Sequence, residues 1–225
     1  MIKCTDNHAR NKLDVEVCRC TAMQVIVLAT QKGGSGKSTI ARSIAAELTG
    51  RGRVALLDID PQGSLTKWWR RRETEDLQLI TGLTRADQIS KAVETLRGQG
   101  FDWLIIDTPG ARDEATRIAL RSADLVLVPV HPSQDDLDAV GPTVAEIRDA
   151  GANFIFVLSR TTRARIVDET GRLLAAHGRV APAIVGARVA HGEAATRGLT
   201  AAEAGNGAAA DEVRELVNYV LEVMG

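Results

Sequence analysis

The sequence predicts an α/β fold, a mostly parallel, twisted sheet of about seven strands with helices on both faces. Two observations carry this. From residue 24 onward, short apolar runs alternate with amphipathic stretches, the pattern of repeated strand–helix–strand units. The runs are Val/Ile/Leu-rich throughout rather than alternating with polar residues, as expected of strands covered on both faces. In such a sheet the ligand sits beyond the carboxyl ends of the strands, so the loops there are where chemistry is to be sought.

In chain order, the strands are expected at 24–30, 53–58, 77–80, 101–107, 124–130, 153–159 and 183–185. The first is the run Val25 to Ala29, which meets a glycine-rich loop. The helix that follows, over 38–50, begins at that loop. Further helical patterns fall near 62–72, 86–98, 113–122, 134–150 and 165–177, with a last one over 210–223. No internal repeat and no linker interrupts residues 23–225, which are read as a single domain.

Residues 1–22 are different: polar, without a helical or strand period, and read as an extension outside the fold. All three cysteines, Cys4, Cys18 and Cys20, lie there, so the remainder is disulfide-free, which suits a reducing cytosol. With His8 they match no common zinc spacing. Three readings of the segment stand: a flexible tail, a stretch ahead of a true start at Met23, and a metal site.

Composition excludes several classes. Lys and Arg number 28 against 29 Asp and Glu, a net charge of −1, so no whole-molecule field draws the chain to a polyanion or an anionic membrane. Any such partner must meet a local patch. Seven aromatic residues are too few for a base-stacking platform. The longest apolar runs, Val25 to Ala29 and Phe154 to Leu158, are far too short to span a bilayer, and the N-terminus lacks the apolar core of a signal peptide. A cytoplasmic location is expected.

The loop after the first strand reads Gln31-Lys32-Gly33-Gly34-Ser35-Gly36-Lys37-Ser38-Thr39. Glycines let the backbone curl so that successive N–H groups converge on phosphate oxygens, and the following helix adds its positive dipole end. Residues Gly33 to Thr39 are thus candidate phosphate contacts, with Lys37 reaching the terminal phosphates and Ser38 a ligand for Mg²⁺. The loop departs from the common pattern G-x-x-x-x-G-K-[ST] at Gln31, and it carries an additional lysine, Lys32. Two carboxylate motifs close later strands: Asp58-Ile59-Asp60-Pro61-Gln62-Gly63 and Asp107-Thr108-Pro109-Gly110. Carboxylates two apart in an extended segment point to the same side.

With the lysine five residues before Lys37, the chain resembles the ParA/MinD family of deviant Walker A ATPases, and among them the small plasmid-type ParA proteins. The resemblance extends over most of the chain from residue 23 and includes Val128-Pro129-Val130-His131-Pro132-Ser133 with Asp135, Asp136 and Leu137. It implies ATP and Mg²⁺ as cofactors. Lys32 is then a signature lysine that crosses a nucleotide-sandwich homodimer, in the part an arginine finger plays elsewhere. Asp60 orients the attacking water, Asp58 supports the metal, Asp107 binds Mg²⁺, and Arg160, beside Ser159, lies near the adenine. The guanine-reading motif Asn-Lys-x-Asp is absent, which favours ATP over GTP.

The resemblance also implies non-specific binding of double-stranded DNA by the ATP-bound dimer, released when a ParB-like or adaptor protein stimulates hydrolysis. Residues 158–198 carry seven arginines against three acidic residues, whereas 199–225 carry one arginine against five. Arg163, Arg165, Arg172, Arg188 and Arg197 are the candidate DNA contacts. In the dense run Lys67-Trp68-Trp69-Arg70-Arg71-Arg72, one tryptophan is expected to pack inward while the arginines fan outward. The C-terminal helix is amphipathic but acidic, hence expected to pack on the core rather than on a membrane. A membrane- or complex-positioning ATPase is the alternative, and a small-molecule synthetase a more distant one. Relatives with an iron–sulfur cluster are set aside because no cysteine follows Cys20.

Overall fold

The computed structural model describes residues 22–110, 113–161 and 164–225, with side chains from 166 onward in the last stretch. The elements run β1 (Gln24–Leu28), α1 (Lys37–Leu48), β2 (Val54–Asp58), α2 (Ser64–Trp69), β3 (Leu77–Thr81), α3 (Ala86–Gly98), β4 (Trp103–Asp107) and α4 (Glu114–Arg121). They continue with β5 (Leu125–Val130), α5 (Gln134–Asp138), α6 (Val140–Asp149), β6 (Phe154–Thr161), α7 (Ala164–Ala175), β7 (Arg179–Gly186), α8 (Val189–Ala195) and α9 (Gly207–Met224).

The seven strands among the described residues form one parallel sheet in the order β3-β2-β4-β1-β5-β6-β7. The side-chain period of two sorts each continuous apolar run onto two cores. Val25, Val27, Leu57, Leu104, Ile106, Val126 and Val128 face one layer, with α3, α4 and α6 over them. Ile26, Leu28, Leu56, Ile105, Leu125 and Leu127 face the other, against Ile40 and Ile44 of α1, Trp68 of α2 and Leu216 and Val217 of α9. From β1 the chain first builds the β2, β3, β4 side of the sheet and then crosses to β5, so a crevice opens at the carboxyl end of β1.

Four local differences from the sequence expectation have physical causes. The seventh strand runs eight residues, not three: it is a sheet edge, buried at alternate positions only, so its apolar signal is diluted and Pro182 is tolerated. The helix expected over 134–150 is assigned as two, because Pro142 has no N–H to continue the ladder. Helix α8, with Gly192 in its middle, has too little local propensity to be seen in sequence. The helix expected over 62–72 is limited to Ser64–Trp69, starting from Gly63 in the left-handed region (φ 59°). Residues 1–21 lie outside the described residues. Met23 is buried in the core.

Candidate functional site

The loop joining β1 to α1 turns through Gly34 (φ 79°) and Gly36 (φ 99°), values that a side chain would strain. Gly36 is the N-cap of α1, and the unpaired N–H groups of the first turn are those a phosphate accepts from. Strand β6 braces the loop from behind: the Ser159 hydroxyl donates to the Ser35 carbonyl at 2.6 Å and Arg160 Nη1 donates to the Gly34 carbonyl at 2.5 Å. Arg160 does so with φ 55°, a left-handed conformation uncommon outside glycine.

Lys37 is buried, and its ammonium donates to the Lys32 carbonyl at 3.2 Å. Burial pulls its pKa below the ordinary lysine value, with the carboxylates of Asp107, Asp60 and Asp136 acting the other way. A cleft of about 680 Å³ lies over this loop, lined by Gly33, Gly34, Gly36, Lys37, Ser38, Thr39, Asp60, Pro109, Gly110 and Arg160. A second pocket of about 280 Å³ adjoins it, sharing Gly36, Thr39 and Arg160, with Ile40, Val185 and Val189 as apolar walls.

Asp58 and Asp107 end adjacent strands in register. Their environments differ. Asp58 Oδ2 accepts from the Thr66 N–H at 2.7 Å and the Thr66 hydroxyl at 2.6 Å, and Oδ1 accepts from the Asp60 N–H at 3.2 Å. It is thus committed to holding α2 and the Asp60 turn. Asp107 is fully buried, and neither oxygen has a hydrogen-bond partner. Burial pushes its pKa up to about 7, opposed by the neighbouring Ser38 hydroxyl and reinforced by the charge of Asp58. An orphaned carboxylate beside a hydroxyl, under a phosphate-type loop, is a hard-oxygen set that fits Mg²⁺ completed by phosphate and water oxygens. Asp60 stands on the cleft wall with Oδ1 accepting from the Gln62 N–H at 2.9 Å.

Lys32 points elsewhere. Its ammonium pairs with Asp135 Oδ2 at 3.0 Å, on the exposed rim, which raises its pKa. Two residues escaped the sequence reading. Arg42 lines the cleft from α1 at 9% exposure, and His191 of α8 is buried beside the smaller pocket with both ring nitrogens unpaired. The available signal for Arg42 was its place four residues after Ser38, on the same face of the helix that starts at the loop.

The basic residues do not form one set. Arg172 on α7 and Arg197 after α8 are exposed. Arg188 is bound by Glu212 at 2.5 Å and faces the smaller pocket, so its charge is locally offset. Arg163 and the side chain of Arg165 lie outside the described residues. In the Lys67–Arg72 run, Trp68 is buried as expected, but Arg72 does not fan outward: its side chain is 2% exposed, clasped by Asp76 and Glu203 and stacked over the Trp68 ring. Two carboxylates outside the run, one four residues on and one 131 residues on, are what turn it inward.

The family model described as VirC1 protein matches residues 23–151. The Maintenance of carboxysome distribution protein A of Gloeobacter kilaueensis is 34% identical over 184 residues, 79% of this chain and 83% of that protein. The chain belongs to the ParA/MinD family of P-loop ATPases. A second protein described as Maintenance of carboxysome distribution protein A, from Halothiobacillus neapolitanus, is 36% identical over 128 residues, and Protein ParA of Rhizobium radiobacter 36% over 118; the matches span 58% and 51% of those proteins. Solved structures of ParA/MinD proteins share the fold. A plasmid partition protein from Borrelia burgdorferi B31 bound to AMPPNP superposes with a TM-score of 0.75 at 17% identity, covering 89% of this chain and 99% of that one. MinD from Pyrococcus horikoshii, complexed with Mg-ADP, gives 0.78 at 15%, covering 90% and 98%.

Proposed function

We propose that this chain is a partition- or positioning-type ATPase whose ATP-bound form is a sandwich homodimer. The observation that carries this reading is the divergence of the two loop lysines: Lys37 faces its own cleft, while Lys32 is held outward at the rim by Asp135. A lysine so placed is available to the phosphates of a second copy, in the manner of a finger supplied across an interface. Within its own cleft, Lys37 and the N–H groups of α1 hold the nucleotide phosphates. Ser38 and Asp107 hold Mg²⁺, which when bound supplies charge neutralisation at the phosphate oxygens. Asp60 orients the attacking water, and Asp58, through its bonds to the Asp60 turn and Thr66, keeps Asp60 in place. The smaller pocket, with its apolar walls and Arg160, takes the adenine side.

The relatives named for partition and for carboxysome distribution support a positioning role on cargo. Exposed Arg172 and Arg197 support double-stranded DNA as the surface gripped, two copies doubling the contacts. Helix α9 buries Val213, Leu216, Val217 and Val220 in the core, so its apolar face is not offered to a membrane; among the described residues no helix is long and apolar enough to cross one. Release through a ParB-like or adaptor partner completes the cycle. The test is duplex-DNA titration with and without a non-hydrolysable ATP analogue at two salt concentrations, with sedimentation in parallel. The analogue is expected to produce both dimer and salt-sensitive DNA binding. Equal DNA binding in every nucleotide state, or none even at low salt, overturns the DNA readout; a monomer at saturating analogue overturns the sandwich.

A further inference from the structure

We infer that Arg42 binds the phosphate chain of the nucleotide from α1, as a second cation of the same subunit beside Lys37. This rests on the reading of the 680 Å³ cleft as the nucleotide site. Arg42 lies four residues beyond Ser38, hence on the same helix face, and helical side chains lean toward the N-terminus, which carries its guanidinium back toward the loop. It lines the cleft.

The environment of Arg42 lacks a counter-charge. It is 9% exposed, and among the described residues no carboxylate lies within ion-pair distance of it. Its acceptors are neutral: Nη2 donates to the His191 carbonyl at 2.9 Å and to the Thr39 hydroxyl at 3.5 Å, while Nε is buried with no partner. Burial pulls its pKa down, with only the more distant Asp107 charge opposing. Burying a cation without a counter-charge is unfavourable, and an anion in the cleft offsets that cost. The His191 carbonyl holds one edge of the planar fork, which leaves the rest oriented for phosphate oxygens. Thr39 belongs to both cavities and His191 to the smaller one, so Arg42 stands where they meet. That junction assigns it to the phosphate nearest the sugar.

The test uses the full chain and measures binding rather than turnover: ADP and AMP affinities by competition with a fluorescent ADP analogue, together with thermal unfolding without nucleotide. For Arg42→Met, affinity for both nucleotides is expected to fall about tenfold or more, with a shallower salt dependence. Unfolding without nucleotide is expected at the same or a higher temperature, because an apolar chain of similar length replaces an unpaired charge. Unchanged ADP affinity overturns the inference, and a lowered unfolding temperature alongside it makes Arg42 a clasp for α8 only. If Arg42→Met does not fold, or loses stability and affinity together, Arg42→Gln decides by the same affinity criterion, since it keeps a donor for the His191 carbonyl without the charge. A wild-type protein that binds neither ADP nor an ATP analogue overturns the nucleotide reading, and this inference with it.

Discussion

Asp107 is held in the least water-like setting of the carboxylates in the cleft region, fully buried with both oxygens unpaired. Its folded-state pKa, about 7, stands above the ordinary carboxylate value of 3.8, so the folded chain binds more protons than the unfolded chain between those limits. Stability from this group is therefore lost as pH rises through that window. Asp107→Asn, measured by urea unfolding without Mg²⁺ or nucleotide, is expected to be more stable than wild type at pH 8 by a few kcal/mol, the gain shrinking toward zero near pH 4. A gain independent of pH places the effect elsewhere than in ionisation. The position of Asp107 was legible from sequence, a carboxylate at the end of Trp103-Leu104-Ile105-Ile106. Its missing partners were not, because they depend on what β1, β2 and α1 bring beside it.

At the scale of elements, the six residues of α2 are tied down at both ends. Asp58 holds Thr66 at its start, in its last turn the Trp68 Nε1–H donates to the Leu199 carbonyl at 3.0 Å, and just beyond its end Arg72 donates to the Gly198 carbonyl at 3.2 Å. The strap after α8 comes so close that a Cβ on Gly198 would sit 2.4 Å from the Arg71 carbonyl, and its φ of 71° excludes most side chains besides. Backbone stands on the other side, so nothing can swing away. Gly198→Ala is expected to cost roughly 2–4 kcal/mol, read as a lower urea midpoint, and to weaken nucleotide affinity far less. The sequence showed a tryptophan-and-arginine run here but not its use, since Asp76 and Glu203 meet Arg72 only once the chain is folded.

For the whole molecule, the unit to test is the proposed pair of subunits. Lys32 makes one exposed ion pair within its own chain, a contact contributing little to stability. Lys32→Ala is thus expected to unfold like wild type and to keep its ADP affinity within about threefold, yet to lose analogue-induced dimerisation and to slow hydrolysis by on the order of 10³. Sedimentation and phosphate release measure the two losses. Full activity in Lys32→Ala removes the lysine from the transition state.

Read without its fold, this chain already determined the order of its seven strands, the glycine-rich loop and the strand-ending carboxylates. Those features are local: apolar periodicity, glycine backbone freedom and residue spacing are properties of adjacent residues. Only the tertiary structure decided that Asp58 is a brace while Asp107 is left unpaired, that Arg188 is spent on Glu212, and that Arg42 is a buried cation facing the cleft. Each of these depends on what folding brings beside the residue, and the charge balance of a segment carries no information about which of its charges the fold brings together.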